Sequence, residues 1–336
     1  KNKIKFDHSI VYGFNAEFFN NFILFYVKIK HYSSNGTIYC STHTYTYLHL
    51  EFLQRYTCGY PHDVFLHRYQ MNLLSDYKVM LLEDHREPLE RLALSKAISL
   101  LGADEVHITS KIEWNHDYYG RVFSEMADAI FMSSNVHGCI RQFSKFSAVP
   151  VIVMRSRIHC SILSLATIMS IMEEYCNLEG LNVAYIGAPH QVINDYLLLC
   201  PMLKANFMFK CSCTSCPVSP LRLEDGKCKC DHSHTVVNQT SDTKQVLKNA
   251  DVIISGPATM KKDKVKEFHF TLKDIQKNAS PYWTYYHTLP RGKETEDEVF
   301  WHKNARSFNA IKNMQFICAA LIINHLQFRE THCCCP

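Results

Sequence analysis

Long apolar runs are missing from this 336-residue chain. A helical bilayer span needs roughly 18 consecutive apolar residues. The best stretches, Asn21 to Val27 and Phe316 to Ile323, are much shorter and are expected to be core elements. Excess charge is missing too. A net charge of +4, with Lys and Arg scattered along the chain, does not make a nucleic-acid surface. The short run from Lys261 to Lys266 is read as a solvated face. No internal repeat is present, which excludes a solenoid. No secretory signal is visible, so the N-glycosylation-type triplets at Asn35, Asn238 and Asn278 carry no weight. The first residue is Lys1 rather than Met, which fits a chain from which a targeting peptide has been removed.

What is present is ordinary for a globular protein, except for sulfur. Hydrophobic residues make up 47% and charged residues 20%, and the length calls for two domains rather than one small core. Fifteen cysteines in a chain this long do not form a small secreted disulfide scaffold. Cys139, Cys160, Cys176, Cys200 and Cys318 sit singly in apolar segments, as buried free thiols of a reducing, intracellular compartment do.

From Tyr77 onward, strands and helices alternate. Tyr77 to Leu82 reads as a buried strand. A helix follows, with Pro88 in its first turn, an apolar stripe at Leu89, Leu92, Ala93, Ala97, Leu100 and Leu101, and Gly102 as terminator. Further strands are expected at 106–109, 129–132, 149–153, 182–186, 207–209, 252–255 and 282–287, with helices between them. A long helix is expected over 160–176, and a final one over 305–327. Such alternation predicts parallel sheets covered on both faces. The fold class is therefore α/β, with two doubly wound parallel-sheet domains joined by interdomain helices. The first is expected over residues 1–150, with helix 305–327 packing back on it, and the second over 151–304.

Several motifs, in order and at matching spacing, resemble the transcarbamylases, and the ornithine transcarbamylase family in particular. Tyr286-His-Thr-Leu-Pro-Arg291, followed by Glu298-Val-Phe300, is similar to the family's His-Cys-Leu-Pro-Arg turn, with Thr288 in place of the cysteine. Ser124 to Ile130 is similar to the Met-Ala-Asp-Ala strand entry. Ser147 to Ile152 with His159 is similar to the Val-Pro-Val-Ile-Asn…His-Pro-x-Gln segment. Leu178 to Gly187 resembles the strand that opens the ornithine domain. The resemblance covers roughly Tyr77 to Leu326. It implies a transcarbamylase architecture, a homotrimer with sites between subunits, no cofactor, and a mitochondrial matrix location, with the cytoplasm as alternative.

The chemistry that the resemblance would imply is largely absent. The family grips phosphate with a Ser-Thr-Arg-Thr-Arg loop at a helix N-terminus. The matching residues here are Glu87, Pro88, Leu89, Glu90 and Arg91, of which only Arg91 survives. Two like unit charges about 4 Å apart repel by about 4 kcal/mol at an effective dielectric near 20, so these acids oppose a phosphate. The better fit is that acidic residues in a first helical turn simply stabilise the helix. Ser133 stands for a family arginine, Cys160 and Ile162 for the proline and glutamine after His159, His190-Gln191 for an Asn-Asn pair, Gly256 for an aspartate, and Lys312 for an arginine. The relict site positions are Arg91, His159, His287, Thr288, Leu289, Arg291 and Lys312, none of which is expected to be catalytically functional.

Cys211, Cys213, Cys216, Cys228, Cys230, His232 and His234 have no counterpart in the family. Within this Cys/His-rich insertion, 211–234, thiolates and imidazoles suffice for a tetrahedral structural zinc, with Asp225-Gly226 turning the chain between two arms. A thiol-rich loop without metal is the other reading. Cys333 to Cys335 is a ligand group, an acylation site or a tail. Two functions stay open: a degenerate, catalytically inactive carbamoyltransferase relative with a structural or protein-interaction role and further protein partners, or an enzyme of altered substrates using His159, His287, Arg291 and Lys312.

Overall fold

The computed structural model describes residues 74–84, 88–110, 116–211, 218, 220–257 and 267–330. Asn21 to Val27, the run from Lys261 to Lys266 and the Cys333 to Cys335 tail lie outside them. The first sheet contains β1 (Lys78–Glu83), β2 (Asp104–Thr109), β3 (Ala129–Ser134) and β4 (Val151–Ser156), all parallel, in the order β2-β1-β3-β4. Its crossovers are α1 (Pro88–Leu101), α2 (Asp117–Ser124) and α3 (His137–Phe146). The second sheet contains β5 (Asn182–Ile186), β6 (Asn206–Lys210), β7 (Val237–Gln239), β8 (Val252–Ser255) and β9 (Thr284–His287), in the parallel order β7-β6-β5-β8-β9. Helices α5 (Val192–Met202), α6 (Pro220–Ser233), α7 (Thr243–Leu247) and α8 (Leu272–Asn278) cross over between them. The α/β reading with two parallel sheets holds.

Helix α4 (Ser161–Tyr175) joins the sheets, and α10 (Ser307–Glu330), entered from the short α9 (Asp297–Phe300), closes the chain. Helix α4 is buried from Ile162 and from Ser164 through Met172, because both sheets and α10 surround it. Helix α10 runs along α1 and α4. One apolar core spans both sheets. It joins Val79, Leu81 and Phe131 of the first to Tyr185, Phe207 and Ile254 of the second through α4 and α10. Smaller cores fill the opposite faces, around Phe143 in the first unit and Phe268 in the second.

Three expectations need correction. The boundary at residue 150 falls too early, because β4 pairs with β3 and its residues 151–156 belong to the first sheet. Helix α1 buries Glu90, Ala93, Leu94, Ala97, Ile98 and Leu101, whereas Leu89 and Leu92 are 42% and 66% exposed. Two apolar stripes share this helix, and periodicity alone cannot choose which one meets the sheet. The segment read as an insertion turning at Asp225-Gly226 is helical over Pro220–Ser233. Gly226 is buried there, and a Cβ on it would lie 2.9 Å from the Leu197 carbonyl oxygen, so this glycine permits close approach of α6 to α5 rather than a turn.

Candidate functional site

Parallel α/β sheets bind ligands beyond the C-terminal strand ends, where the strand order reverses. In the first sheet that point lies between β1 and β3, at Glu83, Asp84, Ser133 and Ser134. In the second it lies between β5 and β8, at Gly187 and Gly256. The start of α4 meets Glu90 of the first unit and Asp195 of the second.

On the first sheet the end of β1 is acidic and self-contained. Glu83, 1% exposed, accepts at Oε1 from Arg91 Nη1 at 3.2 Å, His107 Nε2 at 2.8 Å and Thr109 Oγ1 at 3.1 Å. Arg91 is thus turned onto a buried carboxylate. Asp84 accepts from Ser134 Oγ at 2.5 Å and from the Asn135 amide at 3.2 Å. Glu90 is buried in the first turn of α1 and accepts from Cys160 Sγ at 3.2 Å. Burial, then Glu90, pushes the Cys160 thiol well above its ordinary range, which rules it out as a thiolate nucleophile.

The start of α4 is pinned from the second unit. Asp195 of α5 accepts from His159 Nδ1 at 2.6 Å, the Cys160 amide at 2.9 Å and Ser164 Oγ at 2.8 Å. A carboxylate there meets the positive end of the helix dipole and takes up an otherwise unpaired amide. Since a carboxylate only accepts, the His159 proton sits on Nδ1. His137 packs against His159 with ring centroids 5.6 Å apart, and its Nδ1 lies 2.9 Å from Ser156 Oγ. His190, 7% exposed, accepts the Val192 amide at Nδ1 at 3.3 Å, which leaves its proton on Nε2. Burial first, then the charge of Arg155 and of His287, lowers its pKa to about 3.

At the end of β9 the chain folds on itself. His287, 3% exposed, accepts the Leu289 amide at Nδ1 at 2.9 Å and donates from Nε2 to Glu294 Oε1 at 2.9 Å. Glu294 also takes the Gly292 amide at 2.7 Å. The Leu289-Pro290 peptide is cis, and Leu289 adopts a left-handed φ of 50°. Arg291 donates to the Thr295 carbonyl at 3.0 Å and to Asp297, with its guanidinium 4.6 Å from the Phe300 ring centre. Thr288 is 7% exposed, and its Oγ1 makes no hydrogen bond to a described residue. Lys312 is exposed on α10, so the structure does not bring it to these groups.

Gly256 is hemmed in by an aromatic side chain. Tyr185, whose hydroxyl donates to the Ala188 carbonyl at 2.8 Å, stands where a side chain on Gly256 would go. A Cβ there would lie 1.9 Å from Tyr185 Oη, so no aspartate fits.

The sulfur-rich segment does not converge among the described residues. Cys228 is exposed and Cys230 buried, because neighbours two apart on a helix face different ways. Cys211 is buried and disulfide-bonded. His234 is exposed beyond the end of α6. Cys213 and Cys216 lie outside the described residues, as does the His232 side chain. No group of three or more His, Cys, Asp or Glu able to hold a metal occurs among the described residues. A cavity of about 770 Å³, lined by Tyr175, Asp251, Tyr282, Thr284 and Arg306, opens at the N-terminal ends of β8 and β9, the edge opposite this chemistry.

The sequence pointed to Arg91, His159 and His287 but not to their pairing with Glu83, Asp195 and Glu294. Asp195 carried a signal: with Asn194 it interrupts an otherwise apolar helix. Glu83 closes an apolar strand and carried a weaker one.

Residues 179–324 match the family described as aspartate/ornithine carbamoyltransferase, Asp/Orn binding domain. The mitochondrial ornithine carbamoyltransferase of Schizosaccharomyces pombe is 23% identical over 272 residues, 75% of this chain and 81% of that protein. The mitochondrial ornithine transcarbamylase of Pachysolen tannophilus is 29% identical over 214 residues, 60% of each chain. Among solved structures, the ornithine carbamoyltransferase of Pyrococcus furiosus superposes with a TM-score of 0.75 at 19% identity, covering 94% of this chain and 95% of that one. The Giardia lamblia ornithine transcarbamoylase superposes with a TM-score of 0.75 at 14% identity, covering 97% of both. Among the described residues no helix is long and apolar enough to cross a membrane.

Proposed function

We propose, from the premise that this chain is a distant member of the ornithine/aspartate carbamoyltransferase family, that it keeps the family scaffold without carbamoyl transfer and serves as a non-catalytic structural or interaction protein. One observation carries this reading: both arginines that survive from the family pattern are engaged inside the chain. Arg91 is held by buried Glu83, and Arg291 by the Thr295 carbonyl, Asp297 and Phe300. Freeing Arg91 would take a cation from a buried carboxylate and leave it only His107 and Thr109. Carbamoyl transfer works by positioning and electrostatic stabilisation, so cations already paired elsewhere contribute little to it. The resemblance also supports a homotrimer and a mitochondrial location.

Calorimetry with carbamoyl phosphate at low ionic strength, beside an assay for citrulline from ornithine and carbamoyl phosphate, tests the reading. No saturable heat and no citrulline are expected. Micromolar binding or turnover would favour instead an enzyme built on the oriented His159–Asp195 pair.

A further inference from the structure

Helices α5 and α6 are neighbours on one face of the second sheet, and they end alike. Each crosses between adjacent strands of the parallel order β7-β6-β5, so the two run side by side in the same direction. After α5, Lys204 takes a left-handed φ of 58°, and the Ala205 amide donates to the Cys200 carbonyl at 2.8 Å. After α6, His234 takes a φ of 56°, and the Thr235 amide donates to the Cys230 carbonyl at 3.3 Å. This is one helix cap used twice, a long-reaching amide closed by a left-handed residue. Cys200 and Cys230 therefore hold the same position in successive helices. The strands that follow keep this register, with Phe207 paired to Val237 and the Phe207 amide donating to the Val236 carbonyl at 2.8 Å.

The two helices also touch closely just before these cysteines. A Cβ on Gly226 would lie 2.9 Å from the Leu197 carbonyl oxygen and 3.5 Å from the Leu197 Cβ. Residues three or four apart share a helix face, so Cys200 follows Leu197, and Cys230 follows Gly226, along the same seam. Packed helices ordinarily stand about 8–10 Å apart, and the glycine lets α6 come nearer. Cys200 is fully buried and Cys230 is 6% exposed. Both lie in one apolar core with Leu197, and both are free thiols. Burial first, then Cys230, holds the Cys200 thiol well above its ordinary range. The polar groups at the C-terminal strand ends do not use this pair, which lies at the opposite edge, where β6 and β7 begin.

We propose that Cys200 and Cys230 form a redox site, which a small disulfide oxidises to a cross-link between the last turns of α5 and α6. The exchange takes two steps. One protein thiolate attacks a sulfur of the reagent, forms a mixed disulfide and expels a small thiolate. The other then attacks the protein sulfur of that mixed disulfide and expels the second small thiolate. The two protons leave on the two small thiols, and two electrons pass from the protein to the reagent. In the closed fold the pair is inert, because a buried, protonated thiol is a poor nucleophile. Exchange therefore proceeds when a terminal helical turn opens, and the cross-link then holds both turns shut. It also removes freedom from the unfolded chain, which stabilises the second unit.

The test uses the full chain, reduced and then held for hours with oxidised glutathione. Peptide mass spectrometry should find Cys200 joined to Cys230. The melting temperature should rise by roughly 5–10 °C, and reductant should reverse both changes. Cys200→Ala and Cys230→Ala should each abolish the rise. If neither variant folds, the wild-type link decides, read by mass spectrometry with and without oxidant. Both cysteines recovered as free thiols from the oxidised, folded chain would overturn the proposal, as would either one joined to a different cysteine. A rise in melting temperature that survives in the alanine variants belongs to the disulfide of Cys211 and overturns it equally. Binding of carbamoyl phosphate, or its absence, bears only on the functional reading and leaves this result unchanged.

Discussion

The end of β1 and the end of β9 use the same device at different sequence distances. Each buries a carboxylate that gathers the basic and amide groups around it. Glu294 gathers His287 and Gly292, its own loop neighbours, within seven residues. Glu83 gathers Arg91, His107 and Thr109 from α1 and β2, up to 26 residues away. Asp195 works at longer range still, joining α5 to the start of α4 across 36 residues. The local clamp shapes a loop, the Glu83 clamp ties α1 and β2 to β1 inside the first unit, and Asp195 joins α5 of the second unit to the start of α4. Removing Asp195 should therefore loosen the join between the units, while removing Glu294 should loosen a turn.

Asp195→Ala makes the sharpest test. It strips His159, the Cys160 amide and Ser164 of one buried acceptor set. Urea unfolding should show a loss of about 3 kcal/mol, as for buried donors that lose a shared carboxylate acceptor. A loss under about 1 kcal/mol would mean that water replaces the carboxylate and that the clamp does not join the units. Glu294→Ala should cost less, about 2–3 kcal/mol, because it strands the His287 ring N–H and one amide. Limited proteolysis should then cut near Arg291, with α4 still protected. Cleavage within α4 would show that the local clamp is not local.

The smallest effect is one of pH. His190 titrates at an ordinary 6.5 in the unfolded chain and at about 3 in the fold. Below pH 6.5 the unfolded chain takes up a proton that the fold refuses. Stability therefore falls as pH falls, by roughly 2 kcal/mol between pH 6.5 and 5, and goes on falling toward pH 3. His190→Gln should flatten that part of the acid limb in thermal unfolding. An unchanged limb would assign the acid sensitivity to the carboxylate clamps.

Much of the fold was legible because parallel strands buried on both faces are continuous apolar runs, and the helices between them carry their own period. Val79 to Leu82 and Val252 to Ile254 needed no tertiary knowledge. Helix α1 shows the limit, since Leu92 and Leu94 are equally apolar and only the sheet beneath decides which is buried. The cysteine-rich stretch shows a second limit. Its motif pointed to a turn, while packing of Gly226 on Leu197 made it helix.

The sequence by itself determined the element order and the parallel sheets. These are local patterns. Only the tertiary structure decided what the surviving residues do. Arg91 could have faced a ligand until Glu83 was seen beneath it, and Gly256 could have been a mere substitution until Tyr185 was seen in its place. Charge pairing and steric exclusion act across a few ångströms in space, over sequence distances that carry no periodic mark. A one-residue bulge at Met154 likewise turns Arg155 from one face of a sheet to the other without altering the apolar pattern that announced the strand.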